Sequence, residues 1–535
     1  MQFKYHLNIH PGPVKLLVLF SVFITLIFNF PFFLRVYNAI SPSTVWTWLF
    51  MLSVPCVLIC LNIIFLSLAG ALFFPRIVVG FSVLISSLLF YAVQEYGVIF
   101  DRSMIQNIVE TNSGEAASYL SMSFFLFFVV LGLFPIFAIF NQDVKEAFTK
   151  RFFKLVKINM AAALFIFLIG SLMYKDYAAI GRNNHNLVKY IIPFAFYDSG
   201  YKYLRDTYFY PPLPYRILDR HPHFERKQRS NPATLVVVVG ETARADRFSI
   251  NGYTQPTTTR LSQMGAVSFA NVTSCGTATA VSVPCMFSRL SRENYDSRIA
   301  SSQDNVLDII HRAGASVTWI DNNSSCKGVC ARIQTIDYDP KRSESLCDGD
   351  YCYDEILIEE LAKQLRAEAS RNRVIVLHMI GSHGPTYYLR YPAEFKKFTP
   401  DCARSDIQNC ALNELNNTYD NTVVYTDYVL AEIITLLKRI PDASMLYVSD
   451  HGESLGEKGL FLHGFPYHFA PTEQTHVPMV YWDSKLNQAD YRQCVTGQLN
   501  KAYSQDNVFD TLLGLARVNS TTYQPLQDVF QPCRS

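Results

Sequence analysis

The chain has 535 residues, too many for one ordinary core, so two or more domains are expected. Its 47 Lys and Arg nearly cancel 45 Asp and Glu, which gives no reason to expect a nucleic-acid partner. Hydrophobic residues make up 50% of the chain and crowd into its first third, which excludes an ordinary soluble fold for that region.

Five stretches there carry no charged residue: Leu16–Leu34, Val45–Phe74, Ile77–Val93, Ser121–Asn141 and Ile158–Tyr174. A bilayer crossing needs roughly 20 apolar residues, with about 17 as a lower limit, so each is read as a transmembrane helix. A cleaved leader is set aside for the first stretch, because it lacks a small-residue cleavage signature and four more stretches come after it. Lys4, Lys15, Arg76, Lys145, Lys150, Arg151, Lys154 and Lys157 fall in one alternate set of connections, while Arg35 and Arg102 fall in the other. The positive-inside rule then predicts a cytoplasmic N-terminus, and five crossings deliver the remainder to the far side.

Residues 176–230 are polar, aromatic and proline-containing, and are expected to form an amphipathic linker along the membrane surface, where tyrosine and phenylalanine rings settle. From residue 231 the pattern changes. Short apolar, β-branched runs (TLVVVVG, SVTWI, RVIVLHM, SMLYVS, VPMVYW) alternate with helical patterns such as QDNVLDIIHRAG and DEILIEELAKQLRAEA. Strands this uniformly apolar are buried on both faces, which predicts an α/β domain with a largely parallel sheet.

Ten of the 12 cysteines lie beyond residue 270. An even number in closely spaced pairs reads as disulfides in an oxidising compartment. A thiolate zinc site is disfavoured, because the pairs lack two-residue spacing. Cys56 and Cys60, inside the second stretch, read as apolar packing residues.

Ligands of open α/β sheets bind beyond the carboxyl ends of the strands. TLVVVVG runs into Glu241, RVIVLHM into Gly381-Ser382-His383, and SMLYVS into Asp450-His451, with His463 returning after a glycine-rich loop. Carboxylates and imidazoles at three strand ends suit a catalytic Zn²⁺. The loop SCGTATAVSVPC adds hydroxyls between Cys275 and Cys285, a candidate disulfide that would hold one of them against the metal. A metal lowers the cost of forming an alkoxide, and a helix start favours an anionic phosphate. Thr277, Thr279 and Ser282 are equally open as the nucleophile on these grounds.

The runs VVGETARADRFSINGY, SCGTATAVSVPCMFS, DNNSSCKG, GSHGPTYYLRY and YVSDHGESLGEKGLFLHG closely resemble those of the lipid A phosphoethanolamine transferases. These are membrane enzymes of the alkaline phosphatase superfamily that include the mobile colistin-resistance enzymes, and the resemblance covers the whole chain. It implies five spans over 1–175 and then a periplasmic zinc-dependent catalytic domain over 231–535, in a bacterial inner-membrane monomer.

The resemblance assigns the nucleophile to Thr279 and places Glu241, Asp450 and His451 with it around zinc. It gives His383 and His463 to a second zinc or the substrate phosphate. Asn107, Thr111, Glu115, Ser324 and Lys327 become contacts of the donor head group. The pairings expected alongside it are Cys275–Cys285, Cys326–Cys330, Cys347–Cys352, Cys402–Cys410 and Cys494–Cys533. The implied reaction moves phosphoethanolamine from phosphatidylethanolamine to a lipid A phosphate by way of a phosphoethanolamine-threonine, and gives polymyxin resistance. Relatives that decorate lipopolysaccharide core sugars or periplasmic glucans offer an alternative acceptor. A sulfatase-type hydrolase is less suited, since no C/S-x-P-x-R pattern occurs at the nucleophile loop. A membrane sensor with a structural metal is the remaining reading, under which Thr279 would be dispensable.

Overall fold

Chain connectivity and packing divide the molecule into two units in the computed structural model, which describes residues 12–534 except 112–115, 118, 143–145, 225–231, 339–344, 348, 350 and 367–370. One unit holds Met1–Arg102 and Leu120–Lys202; the other holds Ser103–Tyr119 and Tyr203–Ser535.

In the first unit the apolar stretches form helices α1 (Pro13–Phe28), α2 (Phe30–Ile40), α3 (Val45–Leu66), α4 (Pro75–Tyr96), α5 (Arg102–Glu110, which passes into the second unit), α6 (Met122–Phe140, with a π-helical turn inside) and α7 (Phe148–Leu172). Among the described residues four helices are long and apolar enough to cross a membrane: α3 extended to Ala71, α4, α6 and α7. The expected first span is a bent pair instead, α1 and α2 meeting at 60°, and it makes a fifth crossing if the pair counts as one.

The bend has a cause in the sequence. Pro31 sits in the first turn of α2, where it cannot continue the hydrogen-bond ladder of α1. Asn29, fully buried between them, donates to Ile24 O (3.1 Å) and Ile192 O (2.9 Å) and accepts from Ile192 N (2.8 Å). The side chain thus satisfies backbone groups that a break in hydrocarbon would strand. Exposed Leu164, Phe167, Phe134 and Phe137 leave α6 and α7 with apolar outer faces suited to lipid.

The segment read as one linker, 176–230, is split between the units. Its first part packs on the helices, because its rings find apolar and polar partners there. Tyr177 OH lies 2.8 Å from Ser53 Oγ with its ring against Phe50, and Arg35 stacks 3.9 Å from the Tyr190 ring.

The second unit is built on a seven-stranded sheet. Its strands are β1 (Thr234–Gly240), β2 (Val267–Phe269), β3 (Ser316–Asp321), β4 (Gln334–Asp337), β5 (Arg373–His378), β6 (Ala443–Ser449) and β7 (Met479–Asp483). They lie in the order β2-β7-β6-β1-β5-β3-β4. The run from β6 to β4 is parallel, and β7 and β2 close one side antiparallel, so the largely parallel sheet is present with a mixed edge. Every residue of β1 and β6 is buried, as their unbroken apolar runs require. Helices α8 (Thr279–Met286), α9 (Val306–Arg312), α10 (Glu355–Arg366) and α11 (Leu412–Leu437) accompany the sheet. Phe269, Phe287, Trp319, Val376, Leu446 and Phe509 lie in one continuous core.

Candidate metal centre and nucleophile

Parallel pairing aligns the carboxyl ends of β6, β1 and β5: Gly240 stands opposite Ser449, and Val239 opposite His378. The residues just beyond these strands therefore converge on one edge. Glu241 leaves β1, Asp450 and His451 leave β6, and the turn to His383 leaves β5. Close backbone approach is built in at Gly381, where φ is +50° and a Cβ would stand 2.7 Å from Glu241 O.

Glu241, Asp450 and His451 are fully buried, and one ligand atom from each lies within 4.8 Å of the others. His451 Nδ1 sits 2.9 Å from Gly452 O, which can only accept, so Nδ1 carries the proton and Nε2 presents a lone pair. Burial pushes His451 down to about 4, the neighbouring Asp450 charge opposing it, so the ring is neutral at pH 7. That bare Nε2 faces Asp450 Oδ2 at 3.3 Å and Glu241 Oε1 at 3.5 Å. Asp450 Oδ1 accepts from Thr242 N (3.2 Å) and His451 N (2.7 Å), whereas buried Asp450 Oδ2 has no hydrogen-bond donor among the described residues. Lone pairs crowded this closely in a dry site call for a cation, and one nitrogen with two carboxylates suits zinc. The residues fit the expected metal.

The hydroxyl of Thr279, first residue of α8, meets this cluster. Its Oγ lies 3.1 Å and 3.2 Å from the Glu241 carboxylate oxygens and 3.4 Å from His451 Nε2. The helix start adds partial positive charge at the same place. No hydrogen bond joins the other two hydroxyls to this cluster among the described residues. Thr277 Oγ donates to Phe465 O (2.5 Å) while Thr277 O accepts from Gly464 N (2.7 Å), tying the loop to the strap that carries His463. Ser282 Oγ is buried with no hydrogen-bond partner among the described residues and packs beside Gly276, where an added Cβ would stand 2.8 Å from it. Cys275 and Cys285 are bonded, closing the loop around α8. The other disulfides join Cys326 to Cys330, Cys347 to Cys352, Cys402 to Cys410 and Cys494 to Cys533.

His463 and His383 border the cluster. The His463 ring is centred 4.4 Å from that of His451 and 5.6 Å from that of His383. His463 Nδ1 lies 3.2 Å from Glu453 Oε1. Burial pushes Glu453 up to about 8, against the pull of His451 and His383. Ser324 and Lys327 stand together, Lys327 Nζ donating to Ser324 Oγ at 3.0 Å. Thr111 turns its hydroxyl back to Asn107 O (2.7 Å), in a segment that belongs to the second unit. Glu115 lies outside the described residues, as do Lys4 and Lys145 of the charge pattern.

Two residues the sequence did not single out support the centre. Asn323 Nδ2 donates to Glu241 Oε2 (2.8 Å) and to Met379 O (2.9 Å), fixing the carboxylate. Buried Asp354 accepts from Ile380 N and Gly381 N, both 2.9 Å, and holds the turn to His383. Asn323 stands inside the run DNNSSCKG, and only contact geometry separates its role from those of its neighbours.

Comparison with known proteins places these features in context. The sulfatase family matches residues 233–518, and the family described as phosphoethanolamine transferase EptA/EptB matches residues 57–208. The chain is 40% identical over 534 residues to phosphoethanolamine transferase EptA of Escherichia coli strain K12, covering 97% of this chain and 96% of that protein. It is 37% identical over 410 residues to phosphatidylethanolamine transferase Mcr-1 of Escherichia coli, covering 74% and 76%. The solved integral membrane protein lipooligosaccharide phosphoethanolamine transferase A from Neisseria meningitidis superposes with a TM-score of 0.93 at 36% identity, over 98% of this chain and 99% of that one.

Proposed function

The chain belongs to the phosphoethanolamine transferase family, and from that premise we propose that it transfers phosphoethanolamine from phosphatidylethanolamine to a lipid A phosphate. The observation that carries this reading is the Thr279 hydroxyl set 3.1 Å from Glu241 within the lone-pair cluster of Glu241, Asp450 and His451.

Glu241, Asp450 and His451 would hold a zinc ion, with Thr279 as a further ligand and a second ion or the substrate phosphate at His383 and His463. When bound, that ion supplies Lewis-acid stabilisation of developing negative charge on oxygen. Thr279 Oγ attacks the phosphorus of the donor as its proton leaves along the hydrogen bond toward Glu241. The bond from phosphorus to the diacylglycerol oxygen breaks, and that oxygen takes up a proton from His383 or from His463, whose Nδ1 is backed by Glu453. Phosphoethanolamine is then esterified to Thr279. In the second half a lipid A phosphate oxygen attacks the same phosphorus, the bond to Thr279 Oγ breaks, and the hydroxyl regains its proton. The two halves need position and charge stabilisation more than covalent chemistry.

Both substrates are lipids, which accounts for a membrane anchor on a catalytic domain. In this reading residues 1–175 anchor the protein in the inner membrane with a cytoplasmic N-terminus, and residues 231–535 work in the periplasm. The added ammonium offsets a phosphate that holds roughly −1.5 to −2 charges near neutral pH, which weakens attraction of cationic polymyxins and gives resistance. Expression in a polymyxin-sensitive Gram-negative host tests the reading. Lipid A should gain the phosphoethanolamine mass by mass spectrometry and the host should tolerate more polymyxin. Unmodified lipid A alongside a modified core sugar or glucan would move the acceptor to those classes.

A further inference from the structure

The residue after Glu241 is held in an unfavourable backbone conformation. Thr242 has φ +53°, in the left-handed region, where a β-branched side chain crowds its own backbone. Its hydroxyl does nothing to offset this, since Thr242 Oγ is buried with no hydrogen-bond partner among the described residues. Such a conformation persists only where the surroundings dictate it. Here it points Thr242 N at Asp450 Oδ1, 3.2 Å away. That bond, with the one from His451 N, occupies Oδ1 and leaves Asp450 Oδ2 facing His451 Nε2.

The restraint comes from α11. Tyr419, fully buried, donates its hydroxyl to Thr242 O (2.6 Å) and accepts from Arg244 N (3.0 Å). One oxygen thus pins the peptide groups on both sides of Ala243. Three residues further along the same helix, Thr422 Oγ lies 2.7 Å from Ser382 Oγ, in the turn to His383. Ser382 N in turn donates to Glu241 O at 3.0 Å. Residues three apart share a helix face, so one face of α11 braces the turns that follow both β1 and β5.

We propose that Tyr419 is a positioning residue for the metal centre: its hydroxyl keeps Thr242 left-handed, and Thr242 N then orients the Asp450 carboxylate. The proposal rests on the metal reading of the Glu241, Asp450 and His451 cluster. Without the tyrosine hydroxyl, Thr242 relaxes toward extended backbone and Asp450 loses a donor that sets its rotation. Glycine takes positive φ about as readily as negative, so a glycine at position 242 depends far less on that restraint.

Zinc affinity of the full-length chain in detergent, read by competition against a fluorescent chelator, tests it. Tyr419→Phe keeps the buried ring and removes only the hydroxyl. It should weaken zinc about tenfold, as the loss of a group that orients a metal ligand typically does. In a Thr242→Gly background the same substitution should weaken zinc less than about threefold, because the turn no longer has strain to release. An equal loss in both backgrounds overturns the proposal, since Tyr419 would then support the fold at large and not this turn. So does an unchanged affinity in Tyr419→Phe. A wild-type chain that binds no zinc removes the metal reading itself and this proposal with it.

Discussion

Asp450 Oδ2 and His451 Nε2 face each other at 3.3 Å with no proton between them. Adjacent residues at the end of one strand are thus held in a repulsive contact that only a cation relieves. Zinc should therefore stabilise the full-length protein, and a ligand at 100 times its Kd adds about 2.7 kcal/mol. Thermal unfolding in detergent should shift upward with zinc and downward with a chelator. Asp450→Asn should abolish the shift and yet leave the metal-free protein at least as stable as the metal-free wild type. An amide in place of Oδ2 can donate to Nε2, a bond worth about 1 kcal/mol. A zinc-dependent shift that survives Asp450→Asn would place the ion elsewhere.

Hydroxyls at Thr277 and Thr279 separate structure from chemistry within one loop. Thr279→Ala should abolish transfer and leave no labelled adduct when the enzyme meets a labelled phosphatidylethanolamine analogue. Thr279→Ser, which keeps the oxygen, should retain measurable turnover. Thr277→Ala removes the bond to Phe465 O and should cost about 1 kcal/mol of stability with a smaller loss of rate. Full activity of Thr279→Ala would favour the sensor reading instead.

Why is so much of the centre legible in the sequence? Strands β1, β5 and β6 are unbroken apolar runs, and a parallel sheet brings the residues beyond their carboxyl ends to one edge, so Glu241, His383 and Asp450-His451 could be gathered from sequence alone. The choice among Thr277, Thr279 and Ser282 is not legible in the same way. It depends on which hydroxyl a turn aims inward, and only the family resemblance speaks to it. The bend between α1 and α2 escapes because Pro31 is tolerated in a first helical turn, and the buried partner that stabilises the break, Ile192, lies far along the chain. Asn323 escapes for a related reason: it meets Glu241 through a contact distant in sequence, which no local pattern encodes.

Asn323 is a positioning residue with a measurable signature. Its amide spans Glu241 Oε2 and Met379 O, so Asn323→Ala frees the carboxylate to rotate. Loss of such an outer partner typically lowers metal affinity 10–100-fold, about 1.4–2.7 kcal/mol. Asn323→Asp should do worse, since it sets a second negative charge where a donor now stands 2.8 Å from Glu241. Competition against a fluorescent zinc chelator reads the affinity directly, and unchanged affinity in Asn323→Ala would show that Glu241 needs no such support.

Away from the centre, Asp427 on α11 should make stability depend on pH in the direction opposite to most carboxylates. Its two oxygens accept from Arg260 N (2.9 Å) and Leu261 N (2.8 Å), capping the short helix Thr259–Gln263. Burial pushes it up to about 6 from an ordinary 3.8, and the two amides and the Arg260 and Lys397 charges only partly offset this. Between those values the folded state keeps a proton that the unfolded state has released. The stabilising contribution is thus complete below about 3.8 and is lost as pH rises through about 6, a change on the order of 3 kcal/mol. Asparagine cannot titrate and still offers one oxygen to the cap. The stability of Asp427→Asn relative to wild type should therefore climb steadily between pH 4 and pH 7 when thermal midpoints are compared in the same detergent. A difference that stays flat over that range would mean that Asp427 ionises in the fold as freely as it does in the open chain.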